Sequence, residues 1–115
     1  MERITLNVFN IAGSPFCVEA EDGERVYNLI IKAFKVKKGV ELSFKNVDIL
    51  TTAFLNTAVG QLYRDFTEDF IRQNLGVQEM SPSGLVSLKR VVDTAKIFYK
   101  DPDALKRSIE EILGE

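Results

Sequence analysis

The 115-residue chain contains no histidine. That absence excludes Ser-His-Asp and Cys-His nucleophilic machinery and every zinc site that needs an imidazole ligand. Cysteine occurs once, at Cys17. A single thiol forms no internal disulfide, which favours a reducing compartment, and with no histidine beside it no transition-metal site is expected. Charge of one sign is not in excess: 15 basic and 17 acidic residues leave a net charge of -2. Nothing therefore directs the chain toward nucleic acid or an anionic membrane. No stretch approaches the roughly 20 apolar residues of a bilayer span. The opening residues, Met1 to Asn7, lack the apolar core of a signal peptide. A soluble, cytoplasmic protein is the expectation. Phosphate-loop and dinucleotide glycine fingerprints are missing, as are internal repeats, low-complexity tracts and linkers. No cofactor is expected, and no convergent acid–base pair argues for an enzyme.

What is present is an ordinary globular composition, 45% hydrophobic and 28% charged, in a length that suits one domain over residues 1–115. Ile4, Leu6 and Val8 alternate with polar neighbours, as in a strand with one buried face. Turn chemistry at Asn10 to Pro15 and a second strand over Phe16 to Ala20 predict a hairpin. Val26, Leu29, Ile30, Ala33 and Phe34 form the apolar stripe of a helix from about Glu24 to Lys37, with Gly39 suited to a left-handed stop. Val40, Leu42 and Phe44 predict a third strand, and Lys45 to Leu50 a connector. Leu55, Ala58, Val59, Leu62, Tyr63 and Phe66 predict one long helix from Thr52 to Asn74, ended by Gly76. Val77 to Met80 reads as a fourth strand. A further helix follows Ser81 to Gly84, and Asp101-Pro102 opens a last one over 101–115.

The element order is then β-β-α-β-α-β-α-α. That order predicts an α/β fold with a mixed four-stranded sheet, parallel beyond the first hairpin, and helices mainly on one face.

The segment Val40 to Asn56 is the most informative for function. A buried strand feeds a connector, and Thr51 and Thr52 open an amphipathic helix. Free N–H groups and the positive end of the helix dipole favour anionic groups there. A phosphate on either hydroxyl would add roughly -1.5 to -2 charges. Capping alone also explains a threonine at this place. Asp48 is a candidate carboxylate or a plain turn residue. Ser81, Ser83 and Gly84 are a candidate anion site or a plain turn and cap. Asp65, Glu68 and Asp69 share a helix face that suits a cation or simply solvent. Lys35, Lys37, Lys38 and Lys45 form a basic group that complements a helix end. Cys17 on a strand reads as a small buried apolar residue.

Val47-Asp48-Ile49-Leu50-Thr51-Thr52-Ala53-Phe54-Leu55-Asn56 resembles the signature of the STAS domain, the anti-sigma-factor antagonist type. It is most similar to a divergent prokaryotic STAS-like family of unknown function, in which Ser or Thr residues precede a Phe. In the antagonists an Asp-Ser-Ser-Gly-Leu-Gly stretch opens the helix. The resemblance implies that Thr52 falls where they carry their phosphorylated serine and Thr51 where they carry an aspartate. Phe54 stands in place of their glycine, and the usual fifth strand is not evident. The implied function is regulatory binding of a protein partner, such as an ATP-binding kinase-like regulator, around Asp48, Thr51, Thr52 and Phe54. The alternative is a small-ligand or enzymatic pocket at the carboxyl ends of the parallel strands, with Asp48, Thr51 and Ser81 as its polar groups.

Overall fold

The computed structural model describes residues 2–100, and the helix expected over 101–115 lies outside the described residues. Strand β1 (Arg3–Asn7) leads directly into a short helix, α1 (Val8–Ala12). The Asn7 side chain caps α1 by accepting from the Asn10 N–H at 2.9 Å. Gly13, at φ 75°, closes it, its N–H donating to the Phe9 carbonyl at 2.9 Å. This helix overturns the expected hairpin, because it carries the chain away before β2 (Phe16–Cys17) can fold back on β1. Strand β2 instead pairs in parallel with β4 (Ile49–Leu50), a strand inside the expected connector.

Helix α2 (Ala20–Lys35) begins four residues earlier than expected and shortens the second strand accordingly. Val26, Ile30, Ala33 and Phe34 bury its stripe. The left-handed residue beyond it is Lys37, at φ 59°, rather than Gly39, which opens the central strand β3 (Gly39–Ser43).

The long helix is not continuous. α3 (Thr52–Leu55) passes into a π turn (Asn56–Gly60), where the Gln61 N–H donates to the Asn56 carbonyl at 3.1 Å, and then into α4 (Leu62–Asp65). Phe66 is extended, and α5 (Glu68–Asn74) restarts with Thr67 as its cap. The break lets Phe66 stack on Phe70 at 5.2 Å, while both rings meet Phe34 edge-on at the same separation. Such aromatic contacts contribute about 0.5–1.5 kcal/mol each beyond burial, enough to outweigh one interrupted turn. The end of α3 and the π turn lie against α2 at Gly23, where a Cβ would stand 2.6 Å from the Phe54 carbonyl oxygen and 3.0 Å from Thr57 Cβ.

Gly76 does not end the helix but sits within β5 (Leu75–Gln78), two residues ahead of the expected fourth strand. Helix α6 (Pro82–Lys100) completes the described chain.

The expected single mixed sheet is thus two parallel ones: a three-stranded sheet in the order β1-β3-β5, and the separate β2–β4 ladder. Its registers align Ile4, Val40 and Leu75 in one row and Leu6, Leu42 and Val77 in another. Period two puts both rows on one face. Val40 and Leu42 on that face join Ile30, Phe54, Leu55, Leu62 and Val91 in the core. Thr5, Glu41 and Gly76 share the opposite face, where Arg3 forms an ion pair with Glu41 and donates to the Gln73 carbonyl at 2.8 Å.

Candidate functional site

The β2–β4 ladder positions the candidate residues. Its register pairs Phe16 with Ile49 and Cys17 with Leu50. Alternation turns Cys17 into the core, fully buried, and turns Phe16 and Val18 outward with Ile49. Phe16 is 52% exposed, Ile49 49% and Val18 37%. Three large apolar side chains on one small ladder face make a patch rather than a scatter of single residues. Burial pushes the Cys17 thiol up, so it remains protonated as a small apolar filler.

Thr51 joins this ladder to the helix that follows. Its N–H donates to the Cys17 carbonyl at 3.1 Å, and its hydroxyl donates to the Val18 carbonyl at 2.9 Å. The same hydroxyl accepts from the Phe54 N–H at 3.2 Å and caps α3. Both hydrogen-bonding capacities of Thr51 are therefore used. Thr52 differs: it is exposed, and its hydroxyl has no hydrogen-bond partner among the described residues. Two adjacent threonines thus divide into a structural cap and a free hydroxyl. Phe54 is 0% exposed and anchors the helix start from beneath.

Asp48 is exposed, and its N–H donates to the Pro15 carbonyl at 2.9 Å. Its side chain lines a cavity of about 150 Å³ together with Ser81, Ser83 and Gly84. Two separately chosen sequence candidates therefore meet at the carboxyl ends of β3 and β5. Thr51 does not line this cavity. Within it Ser81 Oγ accepts from the Gly84 N–H at 3.1 Å and lies 3.2 Å from Ser83 Oγ. The cap thus occupies one N–H of the α6 start, and the Asp48 carboxylate sets a negative charge beside it, which opposes an anion.

The other candidates resolve into ion pairs. Arg64 pairs with Asp65 at 3.1 Å, Lys96 with Glu68 at 2.9 Å, and Arg72 with Asp69. Among the described residues no group of three carboxylate or thiol side chains is gathered to hold a metal ion. The hydrogen bond from Arg64 holds the Asp65 carboxyl below its ordinary range, and Lys96 does the same for Glu68. Lys35, Lys37 and Lys38 lie before β3 and Lys45 beyond its far end, so the four lysines form no single patch. Lys38 pairs with Glu2 at 3.4 Å. No helix among the described residues is long and apolar enough to cross a membrane.

Sequence reasoning missed the Phe16–Ile49 pair. The signal was present in Ile49-Leu50, an apolar dipeptide before the threonines, but two residues show no period.

Residues 22–85, more than half of the chain, match the model of a family described as a STAS-like domain of unknown function. The match runs from the first turn of α2 to the first turn of α6 and includes the Val47 to Asn56 segment. No curated protein and no solved structure matches the chain.

Proposed function

The chain belongs to the STAS-like family, and from that premise we propose that it is a non-catalytic regulatory module that binds a protein partner. The docking surface in this reading is the outer face of the β2–β4 ladder together with the start of α3. One observation carries it: Phe16, Val18 and Ile49 are exposed side by side next to the unengaged Thr52 hydroxyl. Apolar residues clustered on a surface mark interaction sites, because leaving them in water costs about 25 cal/mol per Å². Thr52 offers the place for control. A phosphate there would stand in solvent at a helix start without disturbing the Thr51 cap.

A pocket function at the carboxyl ends of the parallel strands is the weaker reading. The cavity beside Asp48 and Ser81 is about 150 Å³, against roughly 300–1,000 Å³ for sites that enclose small-molecule ligands.

Site-specific photo-crosslinking in the native cell tests the proposal. A crosslinker at Thr52 is expected to capture a defined partner that a crosslinker at Lys89, on the exposed side of α6, does not. Capture should disappear in a Phe16→Ser/Ile49→Ser variant whose circular dichroism is unchanged. Equal capture from both positions would defeat the reading.

A further inference from the structure

The core face of the three-stranded sheet is not equally covered along its rows. Val40 and Leu42 are buried, but Leu75 and Val77, which continue the same two rows on β5, are only half-buried. A cavity of about 360 Å³ lies over them, walled by α5 and α6 through Ile71, Leu88 and Val92. A second cavity of about 400 Å³ adjoins it and reaches the last turn of α6 at Ile97, Tyr99 and Lys100. The two share Tyr63 and the Lys96–Glu68 ion pair, so they form one groove that follows α6 from Leu88 to Lys100. Residues 101–115, outside the described residues, begin in the sequence where this groove ends. Pro102 has no N–H to donate, and its ring disfavours the helical conformation at Asp101, so the sequence favours a turn there. Beyond it Leu105, Ile109, Ile112 and Leu113 recur at helical spacing as one apolar stripe, with Lys106, Arg107, Glu110 and Glu111 between them.

We propose that residues 103–113 form a helix that folds back antiparallel to α6 and seats its apolar stripe in this groove of its own chain. Length, direction and proximity select this occupant. From Leu105 to Leu113 a helix rises about 12 Å, and α6 covers the same distance from Lys96 back to Leu88. A reversal at Asp101-Pro102 therefore sets Leu105 opposite Lys96, Ile109 opposite Val92 and Leu113 opposite Leu88. The stripe closes over Leu75 and Val77 while the polar side stays in water. Only two residues separate the segment from α6, so it meets the groove at the effective concentration of a short tether, on the order of millimolar. A free apolar ligand, or a second copy offering the same stripe, competes against that advantage. The inference is independent of the docking reading, because no residue lining the groove belongs to the β2–β4 ladder.

Disulfide trapping in the full chain tests this. Val92→Cys/Ile109→Cys is expected to form an intramolecular bond at least about tenfold faster than Val92→Cys/Glu111→Cys, because Glu111 falls on the side of the helix opposite the stripe. Leu88→Cys/Leu113→Cys should likewise outpace Leu88→Cys/Leu105→Cys, which fixes the antiparallel direction. Equal rates in either comparison would overturn the proposal. Bonds that form between chains rather than within one would assign the groove to a second copy and overturn it as well. An apolar dye, 1-anilinonaphthalene-8-sulfonate, reads the groove without added cysteines. Ile109→Ser/Ile112→Ser, still unfolding cooperatively, should raise the dye's fluorescence about fivefold or more as the stripe leaves the groove. Val36→Ser, at an exposed apolar residue outside the groove, should not. A wild-type chain that binds the dye as strongly as the double variant has a groove open to small apolar ligands, and that result would defeat the attached segment as its occupant.

Discussion

The Thr51 hydroxyl donates to the Val18 carbonyl at 2.9 Å, so one side chain ties the β2–β4 ladder to the start of α3. Since it also accepts from the Phe54 N–H, Thr51→Val should remove a cap and a cross-link together. The expected loss is about 1–2 kcal/mol, the upper part of the range for cap deletions. Thr52→Val, at an exposed and unbonded hydroxyl, should stay within about 0.5 kcal/mol. Urea unfolding of the two variants measures both, and equal losses would contradict the division of roles.

Thr52→Asp should leave stability within about 0.5 kcal/mol of wild type and, by setting a charge beside the docking face, should change the association rate of the partner captured through Thr52 at low salt. Stopped-flow measurement reads this directly. An unchanged rate would separate Thr52 from the docking face.

Gly23 and Gly60 should behave oppositely. A Cβ at Gly23 meets the Phe54 carbonyl oxygen at 2.6 Å, and backbone cannot step aside, so Gly23→Ala should cost about 1–3 kcal/mol by overpacking. A Cβ at Gly60 meets nothing closer than Val91 Cγ1 at 3.5 Å, an ordinary contact. Gly60→Ala should be neutral or stabilise by up to about 1 kcal/mol through helix propensity. Thermal melts of the two variants test the contrast.

The Cys17 thiol should resist alkylation in the native protein at neutral pH and react only as fast as the chain opens. Its folded pKa is raised by burial. A thiol with a raised folded value is neutral in both states below its unfolded pKa. It favours unfolding once pH rises above that value, where only the unfolded chain ionises. Rapid alkylation at neutral pH would place Cys17 on the surface.

Acid should act through Asp65 and Glu68. Their folded pKa values are depressed by hydrogen bonds from Arg64 and Lys96 respectively. The stability they contribute is present above their unfolded values and is lost as pH falls through the folded ones. Glu68→Gln should therefore flatten part of the acid limb of a stability–pH profile and change little at alkaline pH. The same comparison with Lys96→Met checks the partner.

Much of the fold was legible in the sequence where periodicity was long. The stripes of α2 and α6 and the alternation of β3 each rest on several residues repeating one spacing. The failures share the opposite property. Helix α1 is five residues long, and Val8 continues the alternation of Ile4 and Leu6, so only Ile11, three residues on, marks a turn of helix. Its signals were the Asn7 cap and Gly13. β4 is two residues long and has no period at all. The break at Phe66 comes from contact with Phe34, a residue distant in sequence, and the π turn lies where Gly23 of α2 packs against it. Tertiary packing of that kind leaves no local mark.

The candidate site was legible in part. Thr51 and Thr52 were identifiable as a helix start, and Asp48 as its neighbour. Which threonine serves as the cap depends on the Val18 carbonyl, brought there by parallel pairing of β2 with Ile49–Leu50, which the sequence reading places in a connector. The apolar face beside them arises from that pairing alone.

The most direct test is the affinity of the partner captured through Thr52, measured for wild type, Phe16→Ser/Ile49→Ser and Val36→Ser. Loss of one buried aromatic anchor at an interface centre costs about 2 kcal/mol or more, roughly 30-fold in Kd. The double variant is therefore expected to bind at least about 30-fold more weakly than wild type, with Val36→Ser within about twofold. Equal affinity of the double variant and wild type would contradict docking on the β2–β4 face.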